Sequence, residues 1–269
     1  MARDFPKLEL SKEFPMRIAA IYDIHGNLPA LEAVLADIAE TGVDEIVVGG
    51  DIVPGPMSRE VLERLLAVDL PIQFIYGNCE IAMLAQLAGK KLTSLPEQVR
   101  ENLAWSGEQF NSEQIQSISD WPKTLQIKVP ELGEVLFCHG TPRDENEIFT
   151  YRTSDQRLQP AFNDVNASIV VCGHTHIQFQ RPFGTMQIVN AGSVGMPFGE
   201  PGAYWLLLGP TIELRRTPYN LAEAASRVRA TKYPQADDFA ERYVLNPPTE
   251  REMLELFSRF ETSNSPESK

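Results

Sequence analysis

Histidine is scarce in this chain, with four copies in 269 residues. Cysteine is scarcer still, with three copies far apart at Cys79, Cys138 and Cys172. An odd, scattered set does not make a disulfide framework, so reduced cysteines and a cytoplasmic setting are expected. Positive charge is also in deficit. Twenty-four Lys and Arg face thirty-seven Asp and Glu, for a formal net charge of −13. That balance excludes non-specific binding to long nucleic acid and to anionic membrane surfaces. No apolar run approaches the roughly 20 residues of a membrane span. Residues 1–15 are mixed and charged, with no signal-peptide core, and read as an irregular lead-in.

What is present is an ordinary apolar fraction of 43%, enough for one large domain with an extension. Ile18–Ile21 is a short apolar run that predicts a buried strand. Asp23 and His25 follow it, at the strand end where open α/β sheets place ligands. Asn27 then predicts a helix cap, Pro29 fits the first turn, and Leu28, Leu31, Val34, Leu35 and Ile38 share one helical face. The unit repeats. Ile46–Val48 leads to Gly49-Gly50-Asp51, Ser58 is placed to cap the next helix, and Ile72–Tyr76 leads to Gly77-Asn78-Cys79-Glu80. A βαβαβ start implies a largely parallel sheet.

Residues 81–122 read as mostly helical, with a capping box at Ser94–Glu97 and a second cap at Asn111 or Ser112. From Leu125 the pattern changes to short strands, predicted at Leu125–Val129, Glu134–Cys138, Ser168–Cys172, Gln187–Asn190, Ala203–Leu208 and Ile212–Arg215. Their Gly- and Pro-bearing turns indicate a second, mixed or antiparallel sheet. Helix returns at Leu221–Ala230, at Gln235–Leu245 and after a capping box at Thr249–Glu252. Residues 262–269 are polar and expected to be disordered.

All four histidines sit beside apolar strand ends. His25 follows the first strand, His139 follows Val135–Cys138, and His174 and His176 follow Ile169–Gly173. With Asp23, Asp51 and Asn78 they form a mixed nitrogen and oxygen set suited to divalent metals. Two metals held roughly 3.5–4 Å apart need a bridging carboxylate. Asp51, at a Gly-Gly-Asp strand end, is the natural bridge.

Asp23-Ile24-His25-Gly26-Asn27, Gly49-Gly50-Asp51, Gly77-Asn78, His139-Gly140 and Gly173-His174-Thr175-His176 resemble the five ordered motifs of calcineurin-like metallophosphoesterases. The chain's length, its Gly-Asn-Cys and its Asn190-Ala191-Gly192-Ser193 are similar to the small YfcE-like phosphodiesterase branch of bacteria and archaea. The resemblance runs from about Arg17 to Arg215. It implies an α/β fold: a four-layer α/β/β/α sandwich of two mixed sheets flanked by helices, over residues 16–216, with a helical C-terminal extension over 217–261 on the same domain. It assigns Asp23, His25, Asp51 and His176 to one metal, and Asp51, Asn78, His139 and His174 to the other. Manganese is the expected ion, and iron, zinc, nickel and cobalt suit the same shell.

The implied chemistry is hydrolysis of a phosphate ester, most simply a diester, by in-line attack of a metal-bridging hydroxide. Asp51, Asn78 and His174 are its expected catalytic residues. A phosphomonoesterase or protein phosphatase, a dinucleoside-polyphosphate hydrolase, and a protein-binding scaffold of the same fold are the alternatives. The complete ligand set argues against the scaffold. The expected partner is a small phosphorylated molecule, nucleotide-like in one reading. The C-terminal helices are open to roles as a lid, a homo-oligomer contact or a cover.

One position departs from the family. Many members carry His directly after Gly-Asn, as an acid for the leaving group, where this chain has Cys79. A thiol of ordinary pKa is a poor replacement near pH 7. Substrates with good leaving groups, or another acid, are therefore expected. Arg143 is open to a substrate-phosphate contact or to a solvated loop position. Phe183, Phe198 and Tyr204 are open to lining a nucleobase pocket or to core packing.

Overall fold

A computed structural model describes residues 15–263. The expected lead-in, apart from Pro15, and the last six residues of the expected tail lie outside the described residues. Strand β1 (Ile18–Ile21) is fully buried and pairs in parallel with β2 (Glu45–Val48), which pairs in parallel with β3 (Ile72–Phe74). Strand β9 (Ala203–Leu208) lies antiparallel on the other side of β1, and β10 (Ile212–Thr217) extends that edge. The second sheet runs β4 (Leu125–Val129), β5 (Gly133–Phe137), β6 (Ile169–Cys172), β8 (Met186–Asn190) and β7 (Phe179–Phe183). Its β5, β6 and β8 are parallel, while β4 and β7 are antiparallel edges, so both sheets are mixed.

Strand alternation explains the layers. Ile18, Ala20, Tyr22 and Val47 face Phe137, Val135, Ile169, Val171 and Val189 across the gap between the sheets. Ala19, Ile21, Ile46 and Val48 face outward onto helices α1 (Leu28–Thr41) and α2 (Ser58–Leu66). On the far side, Cys138, Val170, Cys172 and Ile188 pack against helix α6 (Asp155–Phe162). The result is the expected α/β/β/α sandwich. The apolar stripe of α1 is buried through Leu31, Val34, Leu35 and Ile38, each worth roughly 1.5–3 kcal/mol of transfer free energy when fully buried. Asn27 caps it by accepting the Ala30 N–H at 3.3 Å, and Gly42 ends it at φ 71°.

Several local expectations are corrected. Ser58 is the first residue of α2 rather than its cap, and its hydroxyl donates to the Gly55 carbonyl at 3.1 Å. Helix α4 (Glu97–Glu108) follows Pro96 with no side-chain cap, so Ser94 forms no capping box. Asn111 does cap α5 (Ser112–Ser119), exchanging bonds with Gln114. The predicted helix at 235–245 divides into a short α8 (Ala236–Phe239) and a π-helical turn (Ala240–Leu245). The Thr249–Glu252 capping box is present and opens α9 (Glu250–Ser263).

The C-terminal helices cover the rim where the site lies. Helix α7 (Leu221–Arg229) and the π-helical turn pack Ala225, Val228, Ala240 and Val244 with Met57 and Tyr233. Helix α9 sets Leu254 and Phe257 against Ile177 and Phe198.

Candidate metal centre

The site residues emerge at the C-terminal ends of parallel strands in both sheets. Asp23 and His25 follow β1, Asp51 follows β2, and Asn78 opens helix α3 (Asn78–Leu87) after β3. His139 follows β5, and His174 and His176 follow β6. Five of these residues adopt left-handed backbone: Asp23, His25, Asp51, His174 and His176, with φ between 47° and 65°. Non-glycine residues pay a steric cost there, and such outliers gather at functional sites. The turns they form point consecutive polar side chains into one space.

Two carboxylates sit among the imidazoles. Asp23 Oδ1 lies 3.3 Å from His176 Nε2, 3.8 Å from His139 Nε2 and 4.0 Å from His25 Nε2. Asp51 Oδ2 lies 3.5 Å from His139 Nε2 and 3.8 Å from His25 Nε2. Asn78 Oδ1 is 3.0 Å from His139 Nε2, and the His139 and His174 ring centroids are 5.2 Å apart. Three overlapping trios place their ligand atoms within 4.8 Å of one another: Asp23, His25 and His176; Asp23, Asp51 and His139; and His25, Asp51 and Cys79.

The donor set fits divalent cations on its own geometry. Asp23 Oδ1 is buried and accepts no hydrogen bond, as is true of the buried Nδ1 of His25. A buried carboxylate oxygen without a donor is costly unless a cation faces it. His139 Nδ1 is 2.9 Å from the Gly49 carbonyl, and His176 Nδ1 is 2.7 Å from the Met196 carbonyl. Donation to those carbonyls leaves each Nε2 facing the cluster, the usual way a protein orients a ligating imidazole.

The electrostatics follow from burial and pairing. Burial opposes charge on His139, but the Asp51 charge and hydrogen bond outweigh it and hold the imidazole up at about 10. His176 is raised against its burial chiefly by the charge of Asp23. His25 and His174 are pushed down to about 4, chiefly by burial. Asp51 is held well below the usual carboxylate range, where the charge of His139 overcomes burial.

Residues outside the predicted set hold the cluster in shape. Glu80 is fully buried and accepts the backbone N–H groups of Asp51 at 2.8 Å, Ile52 at 2.8 Å and Gly77 at 2.7 Å. Nothing local in the sequence indicates its reach to the β2 loop. Asn190 donates to the Gly173 carbonyl at 2.7 Å, and the Ser193 hydroxyl donates to the Asp23 carbonyl at 2.7 Å. The Asn-Ala-Gly-Ser stretch thus ties the β1 and β6 loops together. A Cβ on Gly173 would come 2.6 Å from Asp23 Oδ2, so glycine is required there by close approach.

Cys79 joins the cluster. Its backbone N–H donates to Asp51 Oδ1 at 2.9 Å, and burial, followed by the Asp51 charge, pushes its thiol well above the ordinary range. Arg143 pairs with Glu147 inside its own exposed loop, and among the described residues no hydrogen bond or ion pair joins it to the cluster. Phe198 stacks on His176 with centroids 5.0 Å apart, whereas Phe183 packs in the core under α6. Tyr204 donates to the Glu200 carbonyl at 3.0 Å.

Comparison with known proteins places this geometry. The family description "Calcineurin-like phosphoesterase superfamily domain" matches residues 16–209. An uncharacterized protein of Methanocaldococcus jannaschii, MJ0912, is 27% identical over 81% of this chain and 94% of its own length. Phosphodiesterase YfcE of Escherichia coli is 26% identical over 71% of this chain and 87% of its own. The crystal structure of a metallophosphoesterase from Sphaerobacter thermophilus superposes with a TM-score of 0.66 at 25% identity, covering 87% of this chain and all of that one.

Proposed function

Since this chain belongs to the calcineurin-like phosphoesterase superfamily, we propose that it is a phosphodiesterase working with two divalent cations. Asp23, His25, Asp51 and His176 would hold one ion, and Asp51, Asn78, His139 and His174 the other. The observation that carries this reading is Asp23 Oδ1, buried without a hydrogen bond and ringed by three imidazole nitrogens within 4.0 Å. Bound cations supply Lewis acidity and lower the pKa of coordinated water. The mixed donor set suits manganese, and also iron, zinc, nickel and cobalt.

The chain's own residues do the positioning. The Gly49 and Met196 carbonyls fix the tautomers of His139 and His176. Asn78 places its side-chain amide at the cluster and serves the phosphoryl oxygens. His174, kept neutral at pH 7 by its burial, keeps a lone pair available. The protonated Cys79 thiol is a weak acid for a departing alkoxide, which supports esters with good leaving groups. Similarity to an enzyme described as a phosphodiesterase supports a diester over a monoester. The substrate is small and phosphorylated. Among the described residues no helix is long and apolar enough to cross a membrane. The three free cysteines support a reducing, cytoplasmic setting.

The test is chelation, reloading with each of the five metals, and assay of bis(p-nitrophenyl) phosphate, p-nitrophenyl phosphate and a dinucleoside polyphosphate. Diester hydrolysis restored by metal is the expected result, and Asp51→Asn should lower it by roughly 100-fold or more. Activity confined to the monoester, or none with any metal, overturns the proposal.

A further inference from the structure

A cleft of about 240 Å³ opens directly beside the cluster, with His25 and Cys79 at its inner end. Its opposite wall comes from the C-terminal helices: Tyr233, Gln235, Phe239 and Tyr243. The aromatic members pack on one another, Tyr233 edge-on to Phe239 and Phe239 tilted against Tyr243. The π-helical turn carries Tyr243 to this wall, and its wide coil is closed by the Asn246 N–H on the Glu241 carbonyl, five residues back, at 2.9 Å. Single π turns inside helices concentrate at functional sites.

Two amides in this cleft have acceptors with nothing to accept. Asn102 Oδ1 and Gln235 Oε1 are both buried and lack any hydrogen-bond partner. They come from separate elements, α4 and the residue preceding α8, so local turn chemistry does not explain either one. Leaving a buried acceptor unmade costs roughly 1–3 kcal/mol. Two such acceptors, an aromatic wall and a metal cluster at the inner end describe a ligand with N–H donors on a flat apolar body and a phosphate at one end. The volume falls below the roughly 300 Å³ at which pockets for drug-sized molecules begin, so one ring system fills it.

We infer that this cleft binds an amino-bearing heterocyclic ring, such as the base of a nucleoside phosphodiester, with Asn102 and Gln235 accepting its N–H donors. The inference rests on the phosphodiesterase reading and names the substrate class for it. The C-terminal helices then select the substrate, while the strand-end residues act on its phosphate.

The test is equilibrium binding of adenosine and of purine riboside, which differs from it by lacking the amino group, to the full chain supplied with Mn²⁺. Adenosine should bind about three- to tenfold more tightly for each hydrogen bond gained. Asn102→Ala and Gln235→Ala, each confirmed as folded by its melting transition, should each reduce that preference. Equal affinity of the two nucleosides in the wild type overturns the inference, as does a preference that survives both substitutions. The wild-type comparison decides the matter even if a variant fails to fold. Binding is read without turnover, so it fails independently of the phosphodiesterase reading, which falls when none of the metals restores hydrolysis of bis(p-nitrophenyl) phosphate.

Discussion

Glu80 Oε2 accepts the backbone N–H of Asp51 at 2.8 Å, so one carboxylate fixes the peptide from which the other projects. The same side chain also accepts from Ile52 and Gly77, so both of its oxygens face donors. Burial and the Asp51 charge push the Glu80 carboxyl up to about 7, while its backbone donors pull the other way. Glu80→Gln would turn an NH₂ group toward N–H donors. The expected loss is about 1–3 kcal/mol of stability, together with weaker metal binding, read by chemical denaturation and by metal titration. An unchanged melting curve and metal affinity would refute this.

Gly77 stands against the same carboxylate. A Cβ there would come 2.1 Å from Asp51 Oδ1 and 2.8 Å from its backbone nitrogen. Gly77→Ala must therefore displace Asp51, and phosphodiester hydrolysis should drop by on the order of 100-fold. The folded state should survive, because the strain is relieved by moving a loop. Full activity in the alanine variant contradicts the placement of Asp51.

Metal uptake should release protons. His139, held at about 10, and His176, raised above its ordinary value of 6.5, must each give up a proton before Nε2 can ligate, whereas His25 and His174 at about 4 are already neutral. At pH 6 the release should approach one proton from each of the two, and apparent affinity should rise with pH. Calorimetric titration with Mn²⁺ in buffers of different ionisation enthalpy reads the number directly. For the metal-free protein the sign is opposite. The folded state binds the His139 proton more tightly than the unfolded chain, so this contribution to stability is complete below about pH 6.5 and is lost as pH rises toward about 10.

Phe137 is fully buried in the layer between the two sheets. Phe137→Ala should cost about 3–5 kcal/mol, seen as a lower denaturant midpoint. Because His139 lies two residues on, activity per folded molecule should fall as well.

The strand-end motifs were legible because each follows a short apolar strand, fully buried in β1 and β6, nearly so in β2, and half-buried in β3 and much of β5. That pattern was enough to anticipate two sheets and to gather Asp23, Asp51 and the four histidines, but it counted Ala203–Leu208 and Ile212–Arg215 with the second sheet, whereas β9 and β10 join β1 in the first. Other elements were hidden for physical reasons. Helix α6 carries Pro160 within it, and β7 exposes Gln180 and Pro182 on an antiparallel edge, so neither shows a clean period. Tyr76 and Ile75 extend beyond β3, because the sheet pairing stops at Phe74. Glu80, Asn102 and Gln235 matter through groups distant in sequence, and no local pattern encodes such a meeting.

The left-handed turns at Asp23, His25, Asp51, His174 and His176 carry a further meaning. A left-handed residue with a side chain costs roughly 1–2 kcal/mol relative to ordinary helical geometry, and here the burden falls on the polar groups that gather around the cluster. Glycine at these turns would relieve the backbone cost and remove the side chains that form the cluster. The strain at these turns therefore serves the gathering of the polar side chains and not the stability of the fold.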